Sequence, residues 1–217
     1  MIKHDALVNN ILAVYLSASD TQVNAGLSWY SEAAEFARDL GATLEFEFGM
    51  QRKQTWFECA SAIIAILSPM KSWETNKKLA ISAVDQVIRG FPVTGTYSAQ
   101  CRKVEQAVLF TLKYRGEYHA LDLLDIISNR DAQKTRRFFS NIIGISSCVT
   151  VDGHAANIAN YGTVRKPITS VEMKRPRRAL YDTYERAYLV AARVVELTPS
   201  QLQAITWVAY REMKNEE

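Results

Sequence analysis

Residues 55–67, TWFECASAIIAIL, are apolar on almost every side of a helix. A helix without a polar face has to sit inside a core with other helices packed around it. This segment therefore asks the rest of the chain for helical partners, and the chain supplies them. Leu7, Ile11, Leu12, Val14 and Tyr15 form one apolar face at helical spacing. Trp29, Ala33, Phe36, Ala37 and Leu40 form a second, which Gly41 is expected to close as a C-terminal glycine. Residues 42–52 (ATLEFEFGMQR) alternate briefly and read as an extended linker.

Ser68-Pro69 ends the central helix, and Ser72 is expected to cap the next, which runs to about Ile88. Gly90, Pro92 and Gly95 mark a loop. Helices are expected over 98–113 and 117–127, and Asn129-Arg130-Asp131 breaks the pattern. Asp131 is the expected cap of a helix from Ala132 to Ile143, and Asp152 opens another to about Asn160. Residues 161–176 read as a loop. Helices over 178–197 and 199–214 close the chain, with Thr198-Pro199 as cap and first helical position. The expectation is an all-α protein of about ten helices.

A chain of 217 residues, 48% hydrophobic and 23% charged, can build one compact unit or two small lobes. Cys59, Cys101 and Cys148 are scattered in apolar surroundings. That spacing suits neither a disulfide framework nor a metal or iron–sulfur site, so no metal and no cofactor is expected. The opening MIKHDALVNN lacks a signal-peptide hydrophobic run, and no apolar stretch reaches membrane-spanning length. A soluble cytoplasmic protein with no membrane partner and no obligate protein partner is expected. The net charge of +3 hides a basic cluster: Arg165, Lys166, Lys174, Arg175, Arg177 and Arg178 stand against the single acid Glu172. Such a cluster is either a solvated loop or a contact for phosphates.

Three blocks carry a likeness to a known superfamily. The first is Ala62 to Trp73 (AIIAILSPMKSW), with Asn76 following. The second is Gly95-Thr96-Tyr97 with Lys103-Val104. The third runs from Lys134-Thr135 to Val151-Asp152-Gly153-His154. In this order and near this spacing they resemble the helix-hairpin-helix DNA glycosylases, the endonuclease III and 8-oxoguanine glycosylase group. The resemblance covers about 62–160, somewhat under half the chain. It departs at the hairpin, where Asn129 to Gln133 hold no glycine. Glycine there lets backbone N–H groups approach a DNA phosphate. The four-cysteine cluster of some members is absent as well.

The resemblance implies a two-lobed all-α fold. A helical barrel with the hairpin would span 53–150, and a discontinuous second lobe would combine 1–52 with 151–217. Double-stranded DNA would cross the cleft, with Lys134 and Asp152 at its mouth. Lys134 would attack the sugar C1′ as an amine nucleophile, and Asp152 would stabilise the cationic sugar or take a proton. Without Lys134, Asp152 activating a water would still release the base. Outside the resemblance, Lys134 reads as a solvated lysine and Asp152 as a helix N-cap.

Trp73 could stack on a flipped base while Glu74 or Asn76 reads its edge. Met70 and Lys71 are candidates for the wedge that fills the vacated stack. Lys103, Arg136, Arg137, Arg165, Lys166, Arg175, Arg177 and Arg178 are the candidates for the DNA backbone. His154 reads as support for the aspartate's turn. Trp207, with Gln203 and Arg211, reads as packing plus a surface polar row. The implied activity is excision of a modified base. The compact, cluster-free chain resembles phage and anti-phage relatives, some of which remove bulky modified cytosines such as glucosylated hydroxymethylcytosine. Ordinary repair of a damaged base and a non-catalytic helical DNA-binding role stand as alternatives.

Overall fold

The computed structural model describes residues 4–49, 55–114, 117–127, 132–163 and 178–215. Helices account for every regular element among them. They are α1 (His4–Leu16), α2 (Asp20–Phe48), α3 (Thr55–Leu67), α4 (Trp73–Ile88) and α5 (Ser98–Tyr114). A 3-10 turn (Ala120–Leu123) leads into α6 (Leu124–Ile127), followed by α7 (Gln133–Ile142) and α8 (Gly153–Tyr161). The last two are α9 (Arg178–Val194) and α10 (Pro199–Asn215). The all-α expectation holds, and among the described residues no helix is long and apolar enough to cross a membrane.

Two compact units divide the chain: residues 33–143, and residues 1–32 with 144–217. In the first, α3 is buried almost throughout, as its sequence demanded, and packs on α4, α5 and α7. In the second, α1 lies on α8, α9 and α10 around Leu7, Ile11, Val151, Ile158, Tyr188 and Leu202.

Both boundaries differ from the expected 53 and 150. The first moves because residues 42–48 are helix, not an extended linker. Gly41 does not end α2. A Cβ there would lie 2.8 Å from the Trp56 carbonyl carbon, so the glycine is a point where two helix backbones nearly touch. The apparent alternation in LEFEF resolves at helical spacing, with Leu44 buried, Phe48 stacked on Trp56 at 5.6 Å and Phe46 exposed. The helix ends at Gly49 (φ +86), whose N–H reaches the Glu45 carbonyl.

The second boundary moves because 144–151 is tied to α9. The Tyr181 hydroxyl donates to the Val149 carbonyl at 2.7 Å and accepts from the Val151 N–H at 3.0 Å. Glu185 accepts from the Val149 N–H at 3.3 Å.

Local capping follows the sequence. Ser72 accepts from the Thr75 N–H at 3.2 Å, and Thr198 from the Gln201 N–H at 3.3 Å. Two expectations fail. The 117–127 helix begins only at Ala120, capped by His119 with Asp122 returning the bond. The N-cap position of α7 is Ala132 rather than Asp131, which lies outside the described residues.

Candidate functional site

Asp152 is the N-cap of α8. Its extended backbone (φ −102, ψ −172) turns the side chain back over the first helical turn, where Oδ1 accepts from the Ala155 N–H at 2.8 Å. The second oxygen is also held: Trp207 Nε1 donates to Oδ2 at 3.3 Å. The carboxylate is half-buried, with one oxygen on backbone and the other on an indole.

Aromatic rings surround it. Trp207 meets Trp29 edge-on at 5.8 Å and His154 at 6.3 Å, and the Arg211 guanidinium lies 4.5 Å from its ring centroid. His154 also meets Tyr210 edge-on at 6.2 Å. Burial holds the Tyr30 hydroxyl well above the ordinary tyrosine value. A bond with Thr150 works against this, and the charge of Asp152 adds to it. The same hydroxyl donates to Gln203 Oε1 at 2.9 Å. Tyr188 is pushed up in the same way, by burial first and by Asp152 in addition. The arrangement places one carboxylate among neutral aromatic hydroxyls and rings. It can stabilise a nearby positive charge or accept a proton.

These partners correct one expectation. Trp207 is not mere packing, and Gln203 is buried (5% exposed) rather than part of a surface row. Trp207 lies 55 residues from Asp152 and no local spacing announces the pair. Tyr30 and Tyr188 are legible in the sequence only as helix residues.

Lys134 belongs to the other unit, in the first turn of α7 and half-buried, ahead of buried Thr135, Phe138 and Phe139. Around the α3–α4 turn the expected residues separate. Met70 holds a left-handed backbone (φ 63) and is 79% exposed. Lys71 Nζ lies 5.7 Å from the Tyr97 ring centroid. Both are placed at a surface tip. Trp73 is half-buried, edge-on to Phe36 at 5.8 Å and covered by Lys77. Glu74 is exposed and pairs with Lys77 at 2.8 Å. Asn76 cannot read a base edge: it is 2% exposed, and its Nδ2 donates to the Ile64 carbonyl at 3.1 Å, joining α4 to α3.

Two of the expected backbone contacts are engaged inside the protein. Lys103 Nζ donates to the Ile127 carbonyl at 2.9 Å, and Arg136 Nη1 to the Leu124 carbonyl at 2.8 Å. Arg137 is half-buried on α7. Arg178 opens α9, while Arg165, Lys166, Arg175 and Arg177 lie outside the described residues. All three cysteines are buried free thiols, and no group of three His, Cys, Asp or Glu is placed to hold a metal among the described residues.

The family described as a family of unknown function (DUF7178) matches residues 1–214. No curated protein and no solved structure matches the chain.

Proposed function

The chain belongs to the DUF7178 family of unknown function, and we propose that it is a DNA N-glycosylase of the helix-hairpin-helix kind. It would act on a nucleotide extruded from the duplex. The observation that carries this reading is Asp152: a carboxylate at the N-terminus of α8, oriented by Ala155 and Trp207 among aromatic rings. Breaking an N-glycosidic bond builds positive charge on the sugar as the base departs. A carboxylate already oriented toward such a centre lowers the barrier without reorganising. Planar side chains around it suit a planar base.

In this reading Lys134 is the amine that attacks C1′ once neutral, giving a Schiff base and, by β-elimination, strand cleavage. If it does not act, Asp152 with a water accounts for base release alone. The resemblance favours a bulky modified cytosine as the base, and the basic segment 165–178 as an additional phosphate contact.

The test offers matched duplexes containing cytosine, uracil, 8-oxoguanine, hydroxymethylcytosine and glucosyl-hydroxymethylcytosine, and scores alkali-labile sites. Release of the glucosylated base supports the full reading. Release of uracil or 8-oxoguanine instead returns the protein to ordinary repair. Duplex binding without any release, and without incision at an abasic site, favours the non-catalytic DNA-binding alternative. Borohydride added during turnover should trap a covalent protein–DNA adduct that Lys134→Ala does not form. Neutralising Arg175, Arg177 and Arg178 together should flatten the salt dependence of binding, by up to about 0.9 in log–log slope per lost phosphate contact.

A further inference from the structure

The last four carbonyls of a helix have no partner within it. Among the described residues α6 is the single turn Leu124–Ile127. A helix this short cannot hold itself together by propagation and depends on its neighbours. Two neighbours answer it with cations. Arg136, from α7, reaches back twelve residues to the Leu124 carbonyl at 2.8 Å. Lys103, from α5, reaches across twenty-four residues to the Ile127 carbonyl at 2.9 Å. We propose that Lys103 and Arg136 are positioning residues: two internal cations that cap α6 and fix the first turn of α7, the turn that carries Lys134.

The chemistry suits this use. Cations at a helix C-terminus meet both the unpaired carbonyls and the negative end of the dipole. Arg136 is only 21% exposed, and its further partner Asp125, at 3.7 Å, is 88% exposed. The carbonyl is therefore the stronger tie of the two, because an exposed ion pair contributes little. Partial burial lowers the pKa of Lys103, in keeping with an ammonium drawn partly out of water. Ala132, at the N-cap position of α7, has no side chain that could cap that helix. The Arg136 tie to α6 adds an anchor close to the start of α7. A lysine or arginine held on such a carbonyl has fewer donors left for a phosphate.

The consequence for Lys134 rests on the glycosylase reading, whereas the brace itself does not. The experiment therefore has two arms, using the full chain with Lys103→Met, Lys103→Arg, Arg136→Met and Arg136→Lys. The first arm measures amide hydrogen exchange on the free protein. The methionine variants should speed exchange of residues 124–127 and the first turn of α7 by about tenfold or more, with the rest of the chain unchanged. Lys103→Arg should restore protection. The second arm measures salt-dependent duplex binding and borohydride trapping. The salt slope should stay at the wild-type value, because no phosphate contact is lost, while trapping at Lys134 falls by about tenfold.

Unchanged exchange in both methionine variants overturns the brace. A salt slope reduced by about 0.9 in Lys103→Met, with exchange unaltered, makes Lys103 a phosphate contact instead. Should Lys103→Met fail to fold, Lys103→Gln keeps a donor without the charge and is judged by the same exchange. If the wild type traps no adduct and releases no base, the glycosylase reading fails and the exchange arm still decides the brace.

Discussion

Trp207 Nε1 donates to Asp152 Oδ2 across 3.3 Å, and Ala155 N–H holds the other oxygen at 2.8 Å. One bond comes from the helix that Asp152 caps. The other comes from α10, and it determines which way the second oxygen faces.

Replacing Asp152 by asparagine should abolish base release and leave duplex binding within a few-fold, because the charge goes while the shape stays. Asparagine has one acceptor where aspartate has two, so either Ala155 or Trp207 loses its partner. Asp152→Ala should in addition cost about 1 kcal/mol of stability through the lost cap. Turnover by Asp152→Asn near the wild-type rate would remove Asp152 from the chemistry.

Trp207→Phe keeps a ring beside Trp29 and His154 but deletes the N–H. Base release should fall by about tenfold in kcat with little change in KM, since the carboxylate loses orientation rather than the site losing affinity. Steady-state kinetics on the preferred duplex, with a thermal melt as control, reads this directly. A change confined to the melt would make Trp207 a packing residue only.

Gly41→Ala tests the helix contact that displaced the expected boundary. Alanine is the better helix former by about 1 kcal/mol, so at an exposed site it would stabilise. Here its Cβ would meet the Trp56 carbonyl carbon at 2.8 Å, which forces backbone to move. A net loss of about 1–3 kcal/mol in denaturant unfolding is expected. Gly26→Ala, with a Cβ 2.4 Å from the Ile205 Cα, should behave the same way in the other unit. A gain in stability at either position would show that the helices can separate without cost.

Tyr30, Tyr118 and Tyr188 all have hydroxyls pushed up, chiefly by burial. A raised folded value means the native state holds these protons more tightly than the unfolded chain does. The resulting stability is fully present below about pH 10, where unfolded tyrosine titrates, and is lost as pH rises through the higher folded values. The urea midpoint should therefore fall above about pH 10. Tyrosinate absorbance should show these three ionising only with unfolding, and Tyr30→Phe should make the fall shallower. A midpoint that stays flat through that range would contradict the burial of these hydroxyls.

Much of the helical framework could be read along the chain. The all-apolar run 55–67 required a central helix, and Ser72, Asp152 and Thr198-Pro199 announce their helix starts, because capping is a bond between near neighbours. Asp152 itself could be singled out from its motif. What stayed hidden depends on atoms distant in sequence. Gly41 looks like a helix stop until Trp56 lies against it, and the alternation of LEFEF looks like an extended linker until Leu44 and Phe48 find a packed side. Asn76 reads as a surface amide until α3 offers it the Ile64 carbonyl. Lys103 and Arg136 read as cations for phosphate until the Ile127 and Leu124 carbonyls come within their reach, and Trp207 reads as packing until Asp152 turns an oxygen toward it. Periodicity and caps are local properties that the sequence by itself determined. The partner of a buried polar group depends on which backbone comes close, and only the tertiary structure decided that.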